Sequence, residues 1–364
     1  MKIERVEAYR LSIPFIEETV VPFARHRIMQ SVILRVFACD YIGISETTGN
    51  PGFSGESAEG ILIALNYIVP NVLGTDPRQF RRLHTRMDAV VGNPAAKAGI
   101  DIACHDLVAK VFGVPLPILL GGLVHERVAT QHLLPIKPLD EIATYARKFS
   151  DAGYRIFEVK VESDPLADIK RIETIQANVA PGSVLIIDAN RRGSVHDSIR
   201  FLSALEPANI YMEQPVNGLA QMAEVRRHSR IPIIADEQVK SLADVVQIIE
   251  ADSADALSIK LVKVGGFLPA MQIATYAESV GVPFRVDDMC MSRLGNTATY
   301  TFASAWENIF GCGFAQHTLL IDHEKLVPVG VKIDKGYGTL DLQPGVGGEI
   351  DLEAIGPPVA EWAL

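Results

Sequence analysis

The chain has 364 residues, of which 48% are hydrophobic, and a net charge of −10. That is enough apolar matter for more than one small core, so two structural units are expected. An acidic chain without blocks of like charge does not suggest a nucleic-acid partner, and its longest apolar stretch, Ile61 to Leu73, is broken by Asn66 and Pro70 and is too short to span a bilayer, so no membrane partner is expected. Met1-Lys2-Ile3-Glu4-Arg5 lacks the basic-then-apolar layout of a signal peptide. Cys39, Cys104, Cys290 and Cys312 form no CxxC pair, which fits a reduced, cytoplasmic protein with structural cysteines.

In chain order, Ile3 to Ile13 and Gln30 to Cys39 read as strands, and Asp40-Tyr41-Ile42-Gly43 as a turn into a third. Gly49 to Gly55 is a loop rich in breakers, and Ser57 is an N-cap candidate for a helix. Ala95 to Phe112 has the spacing of an amphipathic helix, with Ile100, Ala103, Cys104, Leu107 and Val108 on one face. An α+β unit over residues 1–125 follows.

From about Val128 short apolar runs alternate with helical stretches. The runs are Ala129–Leu134, Ile156–Val161, Val184–Ile187, Ile210–Met212, Ile231–Ala235, Ala256–Ile259, Val282–Val286 and Ile309–Phe314. Helical patterns between them include Leu166–Val179, Ser194–Leu205, Leu242–Glu250 and Leu268–Val280. Parallel strands need crossover helices, and eight units over roughly 200 residues fit a TIM-type barrel across 126–326. An open doubly wound sheet is the alternative, but the Gly-rich first turn it normally shows is missing. The rhythm stops at Leu326, and the tail 327–364 is expected to pack on the first unit.

Charges follow the runs. Lys160 ends the second, Asp188 the third, Glu213 the fourth, Asp236 the fifth and Lys260 the sixth, each about one βα repeat from the last. One charged group per consecutive strand falls on one rim, and that rim carries the active site in such barrels. Three bare carboxylates on adjacent strands repel. A hard divalent cation with oxygen ligands relieves this, Mg²⁺ first and Mn²⁺ as the alternative. Lysines four strands apart in a ring of eight face each other across a carboxylate substrate. The cation stabilises the enediolate left when the α-proton departs, and a lysine acts as base once its pKa falls.

At these residues the chain resembles the enolase superfamily, in particular the muconate lactonizing enzyme subgroup of the mandelate racemase/muconate lactonizing enzyme family. The likeness also rests on Ala98 to Leu107, Gly113-Val114-Pro115, Leu119 to Gly122, Glu213-Gln214-Pro215 and Lys260 to Gly266. It implies a modified (β/α)7β barrel with a capping unit built from both termini, whose loops near residues 15–30 and 49–57 close over the barrel. It also implies Asp188, Glu213 and Asp236 as metal ligands and Lys160 with Lys260 as the acid/base pair, a pairing general to the superfamily. The subgroup usually carries Lys-x-Lys at the second strand end. Here the segment is Glu158-Val159-Lys160, so a glutamate shares a face with Lys160. It either points at a substrate cation or is neutralised by another partner. Asn190, Glu237, Asp287 and Asp288 are candidates for contacts to substrate or to the ligands.

These readings imply abstraction of the α-proton from a small carboxylate, with a racemase or epimerase of an amino-acid-like or proline-like acid in front. A muconate-type cycloisomerase or a hydroxy-acid or hydroxyproline dehydratase runs on the same machinery, and a non-catalytic binding protein stands further off. If Glu158 and the Asp287-Asp288 pair face the pocket, its wall is negative and favours a substrate bearing an amine. A homo-oligomer is the general expectation.

Overall fold

The computed structural model describes residues 1–21, 24–162, 164–313 and 315–364. Strands β1 (Arg5–Val21), β2 (Ala24–Ala38) and β3 (Tyr41–Thr47) form an antiparallel sheet. Helices α1 (Ala58–Val72), α2 (Phe80–Met87) and α3 (Pro94–Phe112) follow. In β1, Leu11, Ile13 and Phe15 are buried while Ser12, Pro14 and Ile16 are exposed, the period of a half-buried strand. That alternation carries β1 past Ile13, where the sequence suggested an end, so the hairpin runs through most of the 15–30 segment expected to be loop. A register shift between Pro14 and Thr19 bends it.

Helix α3 differs from the amphipathic helix expected: every residue from Ala95 to Ala109 is buried. One side meets the antiparallel sheet, and the other meets the short helices that follow the sixth barrel strand. Three acids on these elements form the seam. Asp101 accepts from the Phe267 amide at 2.5 Å and from a His84 nitrogen at 2.8 Å. Asp106 accepts from the Ile44 and Val346 amides at 2.7 and 2.8 Å. On β3, Glu46 accepts from the Ser292 and Gly295 amides, both at 2.9 Å. Gly266, at φ 112°, lies where a Cβ would meet Asp101 at 2.3 Å, so only glycine lets α3 come this close.

After α4 (Leu116–Leu119) and β4 (Arg127–Ala129), eight parallel strands run β5 (Gln131–Leu134), β6 (Ile156–Lys160), β7 (Val184–Asp188), β8 (Ile210–Glu213), β9 (Ile233–Ala235), β10 (Ala256–Lys260), β11 (Phe284–Asp287) and β12 (Ile309–Cys312). A parallel bridge from Thr130 to Cys312 joins the ends of this sheet, closing the barrel. The eighth apolar run reaches Phe314, which lies outside the described residues. Connecting helices are α5 (Leu139–Asp151), α6 (Pro165–Gln176), α7 (Val195–Ser203), α8 (Leu219–Arg227), α9 (Leu242–Glu250), α10 (Leu261–Val264) with α11 (Phe267–Ser279), and α12 (Arg293–Ala303). Seven crossovers between eight strands make the (β/α)7β pattern. The lower interior is filled by Ile156, Ile186, Ile234 and Ala256, with Tyr211 and Phe310 stacked at 5.2 Å. In the tail, α13 (His323–Leu326), β13 (Lys332–Asp334), β14 (Tyr337–Thr339), α14 (Leu352–Ile355) and β15 (Ala360–Ala363) complete the chain; β14 pairs with β4 and β15 with β1. Among the described residues no helix is long and apolar enough to cross a membrane.

Candidate active site

Register sets the site. Lys160 on β6 pairs with Asp188 on β7, Asp188 with Glu213 on β8, and Lys260 on β10 with Asp287 on β11. Asp236 lies just past β9, one residue beyond its end. All six side chains stand at one rim and are nearly inaccessible, Glu213 at 0% and the most exposed, Lys160, at 7%. Two positions just after strand ends take left-handed backbone, Asn190 (φ 44°) and Gln214 (φ 39°), uncommon for non-glycine residues. The first turn lets the Asn190 amide donate to Asp188 at 2.8 Å. The second places Gln214 Oε1 under the Asp236 amide at 2.9 Å, propping one acid from its neighbour's strand.

Each lysine sits between two carboxylates. Lys160 Nζ lies 2.5 Å from Asp188 and 2.6 Å from Glu158. Lys260 Nζ lies 2.7 Å from Asp236 and 3.0 Å from Asp287, and Phe53 of the 49–57 loop covers it at 4.4 Å. Burial works to lower both lysines, but the Asp188 and Glu158 carboxylates outweigh it at Lys160, and Asp236 and Asp287 at Lys260, so both are held above the usual lysine range. The lowered value expected of a base is therefore not present while Asp188 and Asp236 stay on the ammonium groups.

Glu158 is neutralised. Its Oε1 faces Lys160, and its Oε2 accepts from Gln131 at 2.7 Å and from Arg285 at 3.4 Å. It is 2% exposed, so the free negative wall that would favour an amine is not formed by this residue. Asp287 is similarly engaged, by Arg285 at 2.8 Å and Lys260. Asp288 is different: Asn296 Nδ2 donates to its Oδ2, while Oδ1 has no partner among the described residues. Asn296 is itself oriented by His317, whose Nδ1 lies 2.7 Å from Asn296 Oδ1. Burial pushes His317 down to about 3, so its ring is neutral and Nδ1 donates. Glu237 meets Arg191 at 3.2 Å and Asn190 at 3.5 Å. Its Oε2 has no partner among the described residues, and it borders a groove of about 970 Å³ running between the 53–56 segment and α9 to α11.

Three residues that the strand-end pattern did not single out belong to this cluster. Lys263 on α10 holds Asp236 through Oδ1 and the backbone carbonyl, both at 2.5 Å. Arg285 on β11 holds both Glu213 oxygens at 2.9 Å. Gln131 on β5 links Arg285 to Glu158.

The donor set suits a divalent cation. Burial raises the Glu213 carboxyl well above the usual range; Arg285 opposes this, while Asp188, Asp236 and Glu158 add to it. The cluster thus holds more negative charge than its lysines and arginine compensate, and a hard cation with oxygen ligands relieves that. By distance alone the tightest trio is Glu213, Asp236 and Asp287, with ligand atoms within 4.8 Å, rather than the trio with Asp188 that the sequence suggested.

Comparison with known proteins decides the family. Residues 20–121 match the mandelate racemase/muconate lactonizing enzyme N-terminal domain, and residues 141–355 match the enolase C-terminal domain-like family. The chain belongs to the mandelate racemase/muconate lactonizing enzyme family of the enolase superfamily. Within this family it is 32% identical over 311 residues to the N-succinyl-L-Arg/Lys racemase of Bacillus cereus, covering 83% of this chain and 84% of the relative. It is 26% identical over 384 residues to the cis-3-hydroxy-L-proline dehydratase of Roseibium aggregatum, covering all of both. The structure of a dipeptide epimerase from Cytophaga hutchinsonii with Mg and D-Ala-L-Val superposes at a TM-score of 0.93, with 28% identity over 98% of each chain. The protein is an enzyme of this family.

Proposed function

We propose that the enzyme racemises or epimerises a small carboxylate of the amino-acid type, by Mg²⁺-dependent removal and return of the α-proton. Supporting this is one observation above the rest: two buried lysines, on the second and sixth barrel strands, flank a carboxylate cluster from opposite arcs. Asp188, Glu213 and Asp236 are the ligands we assign to the cation. When bound, it supplies positive charge to the substrate carboxylate as the α-proton leaves. Lys160 and Lys260 then face opposite sides of the α-carbon. Engagement of Asp188 and Asp236 away from the lysines removes one of the two carboxylates that hold each lysine up, leaving Glu158 on Lys160 and Asp287 on Lys260, and the charge of the cation and burial both act to lower them toward basic function. One lysine takes the proton and the other, still charged, returns one to the opposite face. Phe53 excludes water from Lys260, which protects the deprotonated substrate from the bulk solvent.

Charge favours a monoanionic acid. Glu158, Asp188, Glu213, Asp236 and Asp287 stand against Lys160, Lys260, Lys263 and Arg285, which leaves a single negative charge in this cluster. One lysine is neutral when it acts as base, so a divalent cation brings the cluster to zero and one substrate carboxylate leaves a single negative charge. A muconate-type dianion doubles that excess in a dry site, where such mismatch costs several kcal/mol. The unpaired oxygen of Asp288 suits an amide or amine hydrogen beside the α-carbon. Like many enzymes of its size we take it to be a homo-oligomer, and the cysteine pattern supports a cytoplasmic setting.

The test is solvent exchange. N-acyl amino acids, dipeptides and cyclic imino acids are incubated in D₂O with the Mg²⁺-loaded enzyme. At least one acid gains deuterium at the α-carbon; Asp188→Asn, Glu213→Gln and Asp236→Asn lower that rate by on the order of a thousandfold while keeping a folded protein. Undiminished exchange in excess chelator contradicts the proposal.

A further inference from the structure

A second polar cavity lies beside the barrel rim. It measures about 220 Å³ and sits between the turn that opens α8 and the turn that follows β9, with Arg191, Gly218, Glu237, Gln238, Lys240 and Asp244 on its wall. None of Lys160, Asp188, Glu213, Asp236 and Lys260 borders it. Glu237 and Lys240 also border the larger groove, so the two spaces meet at these side chains. We propose that this cavity binds a small zwitterion of the amino-acid type, with its amine on Glu237 and its carboxylate on Gln238 and Lys240.

Three buried polar atoms on this wall have no partner among the described residues: Glu237 Oε2, Gln238 Oε1 and Gln238 Nε2. Glu237 is 4% exposed, and its other oxygen is already taken by Arg191 at 3.2 Å and Asn190 at 3.5 Å. Buried polar groups are ordinarily paired, and a bare carboxylate oxygen costs more than a typical hydrogen bond returns. Together the three atoms define what a ligand must offer. Glu237 Oε2 needs a donor, and the Gln238 amide needs one donor and one acceptor.

Charge and size narrow the class. Arg191 and Lys240 stand against ionised Glu237 and Asp244, so the charges on the wall sum to zero. A lone anion or cation upsets that balance, whereas a zwitterion keeps it. Its ammonium donates to Glu237 Oε2 and to Gln238 Oε1. Its carboxylate accepts from Gln238 Nε2 and from the Lys240 ammonium. Gly218, the N-cap of α8, has no side chain to take the first amides of that helix, which adds partial positive charge for the same carboxylate. The space is smaller than pockets for drug-sized ligands, roughly 300–1,000 Å³, so the ligand is small.

Calorimetry of the Mg²⁺-loaded enzyme with glycine, L-alanine, acetate and methylamine tests this. Glycine and L-alanine bind with a millimolar or tighter Kd. Acetate and methylamine bind at least about tenfold more weakly, because each leaves one charge of the wall unmatched. The substrate proposed above is of the same class, so variants assign the binding to a site. Gln238→Met weakens glycine by about tenfold or more, since the amide supplies two hydrogen bonds. The Gln238 side chain has no bond within the chain to lose, so this variant keeps the wild-type circular dichroism spectrum. In Asp188→Asn, altered at the catalytic cluster, a glycine site of affinity within about twofold of wild type remains. No binding of glycine or L-alanine at tens of millimolar, or acetate bound as tightly as glycine, overturns the proposal. So does binding that is lost in Asp188→Asn and kept in Gln238→Met, which assigns the ligand to the catalytic cluster instead.

Discussion

Glu158 shows how a single buried charge is read differently in sequence and in space. Next to Lys160 in an otherwise apolar strand, it looks like a free anion in the pocket wall, but Lys160, Gln131 and Arg285 occupy both of its oxygens. Glu158→Gln therefore leaves the ranking of amine-bearing acids against dicarboxylates unchanged. It lowers stability by about 1.5–3 kcal/mol, because Lys160 and Arg285 lose a charged partner. A substrate panel and urea denaturation check both parts, and an inverted ranking contradicts the assignment. Lys160, Asp188, Glu213, Asp236 and Lys260 were legible because each follows an apolar run at the βα repeat. Arg285 was not, since it lies within the run Val282–Val286 and its acidic partners come from other strands. A charge in mid-strand, on the same face as an acid two residues on, was the available signal. Lys263 lies one short helical turn past Lys260, where a lysine is ordinarily solvated.

Between elements, buried acids tie the antiparallel unit to the barrel. Glu46 on β3 takes the Ser292 and Gly295 amides at the start of α12, a task that the local sequence around either segment does not reveal. Glu46→Ala leaves these donors buried without partners and costs about 2–4 kcal/mol, measured by urea unfolding. A loss below 1 kcal/mol means that water satisfies the amides. Glu56 lies at the end of the loop carrying Phe53 and accepts the Ala95 amide at 3.2 Å, while burial pushes its carboxyl up to about 7. Its folded value lies above its unfolded one, so its contribution to stability is complete below pH ~4.3 and is lost as the pH rises through about 7. Glu56→Gln therefore gains on wild type between pH 5 and 8.5. A stability difference that stays constant over that window contradicts the assigned titration. The long hairpin and the burial of α3 all round from Ala95 to Ala109 were the features least legible in sequence. Both depend on a neighbour, since α3 is apolar enough for one face by its own pattern and is buried on the other only because the barrel helices pack there.

Across the whole molecule, the alternation of short strands and helices made the barrel legible, because parallel neighbours require crossovers and crossovers impose a period. The same geometry gathers charges that are far apart in sequence into one cluster, where among the described residues five carboxylates meet four cations, and to this cluster the proposed two-sided acid/base chemistry is assigned. The direct test of that arrangement uses an acid found to exchange in D₂O, supplied as each pure enantiomer to wild type, Lys160→Ala and Lys260→Ala. Two-base chemistry predicts that wild type exchanges both enantiomers, that one variant loses exchange from only one of them, and that the other variant loses exchange from only the other. Equal loss from both enantiomers in each variant, or retained racemisation in either, contradicts it.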